Sequence, residues 1–80
     1  MKHYKSIRGD SGIDAYDFDT DSVTVRFTTG ASYTYTNEST GRHKIAQMKR
    51  LAQEGSGLAT FISRHVGGHY SEKSPATPHN

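Results

Sequence analysis

The fold turns on one stretch, VTVRFTTGASYTY, residues Val23 to Tyr35. Two runs of alternating apolar and polar residues flank Thr28-Thr29-Gly30, the pattern of a β-hairpin. A two-residue Thr29-Gly30 turn of type I′ would force the β-branched Thr29 to positive φ. A three-residue loop needs positive φ only at its last residue, Gly30. The three-residue loop pairs Phe27 with Ala31, Val25 with Tyr33 and Val23 with Tyr35, and puts all of these side chains on one face, the core. Thr24, Arg26, Ser32, Thr34 and Thr36 then line the wet face.

Working outward, Ile13 to Phe18 reads as a strand, and the turn formers Asp19 to Ser22 join it to the hairpin. That turn pairs Phe18 with Val23 and Tyr16 with Val25. After Tyr35 the composition shifts to helix formers, with Ser39 or Thr40 as the N-cap of a helix from about Thr40 to Glu54. Ile45, Met48 and Ala52 form its apolar stripe, widened by Leu51. Gly55-Ser56-Gly57 ends that helix, Ser56 being placed to cap a second one carrying Leu58, Phe61, Ile62 and Val66, and Gly67-Gly68 stops the second. The expectation is an α+β domain, a three-stranded antiparallel meander covered on one face by two helices. Residues 1–10 read as a flexible N-terminal segment, 11–70 as a single domain, and the proline-punctuated 71–80 as a disordered tail.

Composition narrows the function. The chain has 80 residues and no cysteine, so disulfides, thiolate metal sites and cysteine nucleophiles are excluded. No apolar run approaches the roughly 20 residues that span a bilayer, and MKHYKSIRGD has no signal-peptide h-region, which predicts a cytoplasmic protein without membrane contact. Without export, Arg8-Gly9-Asp10 reads as a loop and not as an adhesion signal. Asp17-x-Asp19-x-Asp21 has the rhythm of a calcium loop, but Ser22 and Thr28 stand where an EF-hand needs glycine and glutamate. His65 and His69 are four residues apart, yet Gly67-Gly68 interrupts the helix that would make them a metal pair, and His65 is expected beside Phe61. Nucleophile elbow, phosphate-cradling glycine loop and His-Glu-x-x-His are all absent from the sequence. The reading is a non-enzymatic module with no cofactor.

Several short motifs, taken in order, add a resemblance. Ser11, Ile13, Phe18-Asp19, Val25, Phe27, Gly30, Tyr33, Tyr35, Phe61-Ile62, Val66 and Tyr70 together resemble the KTSC domain. That short module is named for the C-terminal extension of some lysyl-tRNA synthetases and also occurs as a stand-alone small bacterial protein. The resemblance implies an RNA-binding role, with Phe27, Gly30, Tyr33 and Tyr35 as its hairpin motif.

Net charge is only +2, but its distribution is uneven. The first 36 residues mix Lys2, Lys5, Arg8 and Arg26 with Asp10, Asp14, Asp17, Asp19 and Asp21, whereas between Arg42 and Val66 there are Arg42, Lys44, Lys49, Arg50 and Arg64 against the single acid Glu54. This basic helical half is expected to contact RNA phosphates through Arg42, Lys44, Lys49, Arg50 and Arg64, extended by Arg26. A merely solvated face is the bland reading of the same charges. Tyr33 and Tyr35 are expected in the core, with base stacking as the alternative. The rival function is a protein-interaction module using the sheet edge or a helix face. Either way the chain is expected to be a monomer or to self-associate weakly.

Overall fold

The computed structural model describes residues 2–4 and 12–74. In chain order the elements are β1 (Lys2–His3), β2 (Ile13–Phe18), β3 (Ser22–Phe27), β4 (Ser32–Thr36), α1 (Asn37–Thr40), α2 (Arg42–Glu54), α3 (Leu58–Phe61), a π-helical turn (Ile62–Val66) and β5 (Glu72–Ser74). The fold is α+β, and its antiparallel sheet has five strands in the order β1-β2-β3-β4-β5.

The central hairpin has the predicted register. Val23 pairs with Tyr35 and Val25 with Tyr33. The Phe27 N–H donates to the Ala31 carbonyl and the Gly30 N–H to the Phe27 carbonyl, both at 2.8 Å, which closes a three-residue loop. Gly30 has φ 95°, as that loop demands. Across β2 and β3, Phe18 pairs with Val23 and Tyr16 with Val25, again as the turn length predicts. One irregularity was not foreseen: Ile13 lies opposite Phe27 and Ala15 opposite Arg26, so Asp14 is an extra residue, a β-bulge. The bulge sets the Asp14 carboxylate beside Arg26, whose Nη2 and Nε donate to Oδ2 at 2.8 and 3.0 Å on the face away from the helices.

The three-stranded expectation is corrected by β1 and β5. Where the sequence predicts a flexible segment, Tyr4 is only 3% exposed, and its N–H donates to the Asp14 carbonyl at 3.0 Å, anchoring Lys2–His3 along β2. Where it predicts a disordered tail, the Ser71 N–H donates to the Thr34 carbonyl at 2.6 Å, and Thr34, Tyr33 and Ser32 then pair with Glu72, Lys73 and Ser74. Side chains of both added strands are exposed, so backbone pairing rather than apolar periodicity forms them. Residues 1, 5–11 and 75–80, including Arg8-Gly9-Asp10, expected as a loop, and Ser11 of the KTSC resemblance, lie outside the described residues.

In the helical half the expected cap also moves. Thr36 is the N-cap, its Oγ1 accepting from the Ser39 N–H while Ser39 Oγ accepts from the Thr36 N–H, each at 3.0 Å. This capping box starts an unexpected single turn, α1, and Gly41 at φ 108° then re-aims the chain into α2, so the expected helix begins two residues later than Thr40 and ends, as expected, at Glu54. The stripe is as predicted: Ile45, Met48 and Ala52 are buried and Leu51 half-buried. Gly55 at φ 73° is the left-handed C-cap, and Gly57 at φ 80° rather than Ser56 precedes α3. Leu58, Ile62 and Val66 are buried beneath α3 and the π-helical turn, and Gly67 ends it. Val23, Val25 and Tyr35 from the sheet meet Ile45, Met48, Leu58 and Val66 from the helices in one core.

Candidate nucleic-acid interface and aromatic cleft

Of the six cations expected to contact RNA, Arg42, Lys44, Lys49, Arg50, Arg64 and Arg26, three already have intramolecular partners among the described residues. Arg26 is tied to Asp14 on the outer face of the sheet. Lys49 is half-buried, its Nζ donating to the Thr20 carbonyl at 2.7 Å and lying 5.6 Å from the centre of the Phe18 ring, so it clamps α2 to the β2–β3 turn. Lys2 approaches the same ring at 5.9 Å. Arg50 reaches Glu54 at 3.7 Å, an exposed pair worth below about 1 kcal/mol. At 3.6 residues per turn Lys44 falls on the flank of α2 opposite Lys49. Arg64 is exposed on the π-helical turn.

What remains free is the first turn of α2. Arg42, His43 and Lys44 are exposed there, with no acid in the turn and no ion pair among the described residues. No side chain caps this end, since Gly41 occupies the cap position. Cations at the positive end of a helix oppose its dipole by typically 0.3–1 kcal/mol each, so this arrangement is not one that stability alone favours. The chain beyond the π-helical turn runs beside it, as Thr40 Oγ1 donates to the His69 carbonyl at 2.8 Å.

The tyrosines of the hairpin motif have different surroundings. Tyr35 is 1% exposed, and burial, followed by the neighbouring phenols of Tyr33 and Tyr70, pushes its hydroxyl up to about 12. Tyr33 is half-buried, stacked edge-to-face between Phe27 at 5.4 Å and Tyr70 at 5.0 Å. The core expectation therefore holds fully for Tyr35 and partly for Tyr33. Phe27, Tyr33, Tyr35 and Tyr70 line a surface cleft of about 580 Å³ between the hairpin tip and the π-helical turn. Sequence reasoning placed Tyr70 only as the closing aromatic of the motif. Its part in the cleft depends on the reversal at Gly67-Gly68, which carries it back over β4, and no local pattern encodes that return.

The His65 ring lies 5.0 Å from that of Phe61, as expected, and Gly67 separates it from His69. Among the described residues no group of three or more His, Cys, Asp or Glu is placed to hold a metal, and no helix is long and apolar enough to cross a membrane. No family model, curated protein or solved structure matches this chain.

Proposed function

We propose that the chain is a small non-enzymatic nucleic-acid-binding module, RNA before DNA, whose phosphate contacts centre on the first turn of α2. The single observation that carries this reading is the exposed cluster Arg42-His43-Lys44, without an ion pair among the described residues, at a helix start with no side-chain cap, where cations are held against the dipole. Arg64 adds a further exposed cation, while Lys49, Arg50 and Arg26 contribute less because each already has an intramolecular partner. The preference for RNA comes from the KTSC resemblance, supported by Phe27, Gly30, Tyr33 and Tyr35 occupying their hairpin positions. Such contacts give affinity with little sequence information. The rival protein-interaction reading by strand addition is disfavoured by short edges: β1 and β5 have two and three residues, each with an exposed lysine.

The test is the double variant Arg42→Gln/Lys44→Gln titrated with single-stranded RNAs of unrelated sequence. Binding should weaken about equally for all of them, and the salt slope should flatten by roughly 0.7–1 unit for each cation withdrawn from a phosphate. Stability should be unchanged or slightly raised, since charges opposing the dipole are removed. Undiminished binding would move the phosphate-binding surface elsewhere. No binding by the parent protein at low salt would make the cluster a solvated face and put the protein-interaction module first.

A further inference from the structure

The cleft beside the hairpin tip is built for a particular kind of guest. Its walls are the rings of Phe27, Tyr33 and Tyr70, and among the described residues no Lys, Arg, His, Asp or Glu lines it. Its volume of about 580 Å³ lies within the roughly 300–1,000 Å³ of small-molecule sites. Tyr35 lines it while being only 1% exposed; no hydrogen bond joins its hydroxyl to another described residue, and since no fully buried side-chain oxygen among the described residues lacks a partner, that oxygen is not sealed off from the surface. With its proton held to about pH 12, that hydroxyl is a neutral donor and acceptor at all ordinary pH values. Hydroxyls of Thr29 and Ser63 add further neutral polar groups to the lining.

Charge lies outside it. Lys73 Nζ stands 5.5 Å from the centre of the Tyr33 ring, and the exposed Arg64 follows Ser63 directly. The matching ligand is therefore flat and uncharged where it enters, able to hydrogen bond at its inner end, and anionic where it leaves. An aliphatic chain would leave the phenol unpartnered, and a carboxylate or phosphate inside would meet no cation.

We propose that this cleft receives one unstacked nucleobase of a nucleotide, stacked against the exposed Tyr70 ring and hydrogen-bonded to the Tyr35 hydroxyl, with its phosphate directed to Lys73 and Arg64. The base can come from a strand or from a free nucleotide. The strand case rests on the RNA-binding reading above, and the free-nucleotide case does not.

The experiment follows the amide and aromatic NMR signals of the full chain. The probes are adenosine 5′-monophosphate, ribose 5-phosphate, an oligoadenylate, and an abasic strand of the same length. The nucleotide should shift Ala31, Tyr33 and Tyr70, whereas ribose 5-phosphate should not. The oligoadenylate should bind roughly tenfold or more tighter than the abasic strand, the size of one base–aromatic stack. Tyr70→Ala, which removes a ring that is 37% exposed, should abolish both effects and leave abasic-strand binding unaltered. Tyr35→Phe keeps the packing and should weaken the nucleotide severalfold. Nucleotide binding without strand binding upholds the cleft and defeats the RNA reading. Equal affinity for the two strands together with no nucleotide shifts overturns the cleft, as does an unchanged response in Tyr70→Ala, while the phosphate surface on α2 stands or falls separately.

Discussion

Gly30 at φ 95° occupies a conformation in which a β-branched side chain presses on its own backbone, so Gly30→Val is expected to cost on the order of 1–3 kcal/mol, read as a drop in the denaturant midpoint. An unshifted midpoint would mean that the loop can be closed another way. Tyr35 makes a second prediction, through its proton. The folded phenol is raised to about 12 from 10.0, so below pH 10 both folded and unfolded states keep the proton and its stabilisation is whole. As pH climbs from about 10 to about 12 the unfolded phenol ionises first, and stability is lost across that window. Tyr4 is also raised by burial, against an opposing backbone hydrogen bond from Leu58, and adds loss in the same direction. Unfolding curves at a series of alkaline pH values should show this loss in the parent and a smaller one in Tyr35→Phe; identical profiles would mean that the Tyr35 hydroxyl holds its proton equally in the folded and unfolded chain. Both residues were legible in the sequence because alternation and one glycine fix a hairpin register locally.

At the element scale, legibility follows how much of an element is written in its own side chains. The stripe Ile45, Met48 and Ala52 is such a case, and it packs as read. The start of the helical half is not. Thr36 ends β4 and caps α1 at once, and strand pairing with Ser22 hides its second role behind its β-branched preference. Thr36→Ala should cost about 1 kcal/mol, while Thr36→Ser should largely restore stability, which thermal melts of the two variants would check. The strands β1 and β5 were illegible for a plainer reason. Lys2–His3 and Glu72–Ser74 bury no side chain, and their order comes from carbonyl and amide groups on β2 and β4 that are already in place. The partners that some of the cations take are not written in helical spacing, which gives direction on one helix only. The pull of Thr20 on Lys49, and of Asp14 on Arg26, arises from neighbours far along the chain.

Seen whole, the molecule is one helical layer laid on one sheet, with β3 at the middle of the strand order and small strands closing both sides. Ending the chain after Ser71 removes the strand that covers the β4 edge and the Lys73 approach to Tyr33. That truncation should lower the melting temperature and speed hydrogen exchange at the amides of Ser32 and Thr34, with β3 remaining the slowest to exchange. Unchanged protection in β4 would show that β5 adds nothing to the sheet. The strand order has a mechanical consequence as well. Because consecutive strands are also spatial neighbours from one side to the other, tension between Lys2 and Ser74 acts largely across the strands, and the ladders part bond by bond from the margins instead of resisting together in shear. A sheet threaded this way is a soft spring: under load it should release β1 and β5 at low force while the helices still sit on β3.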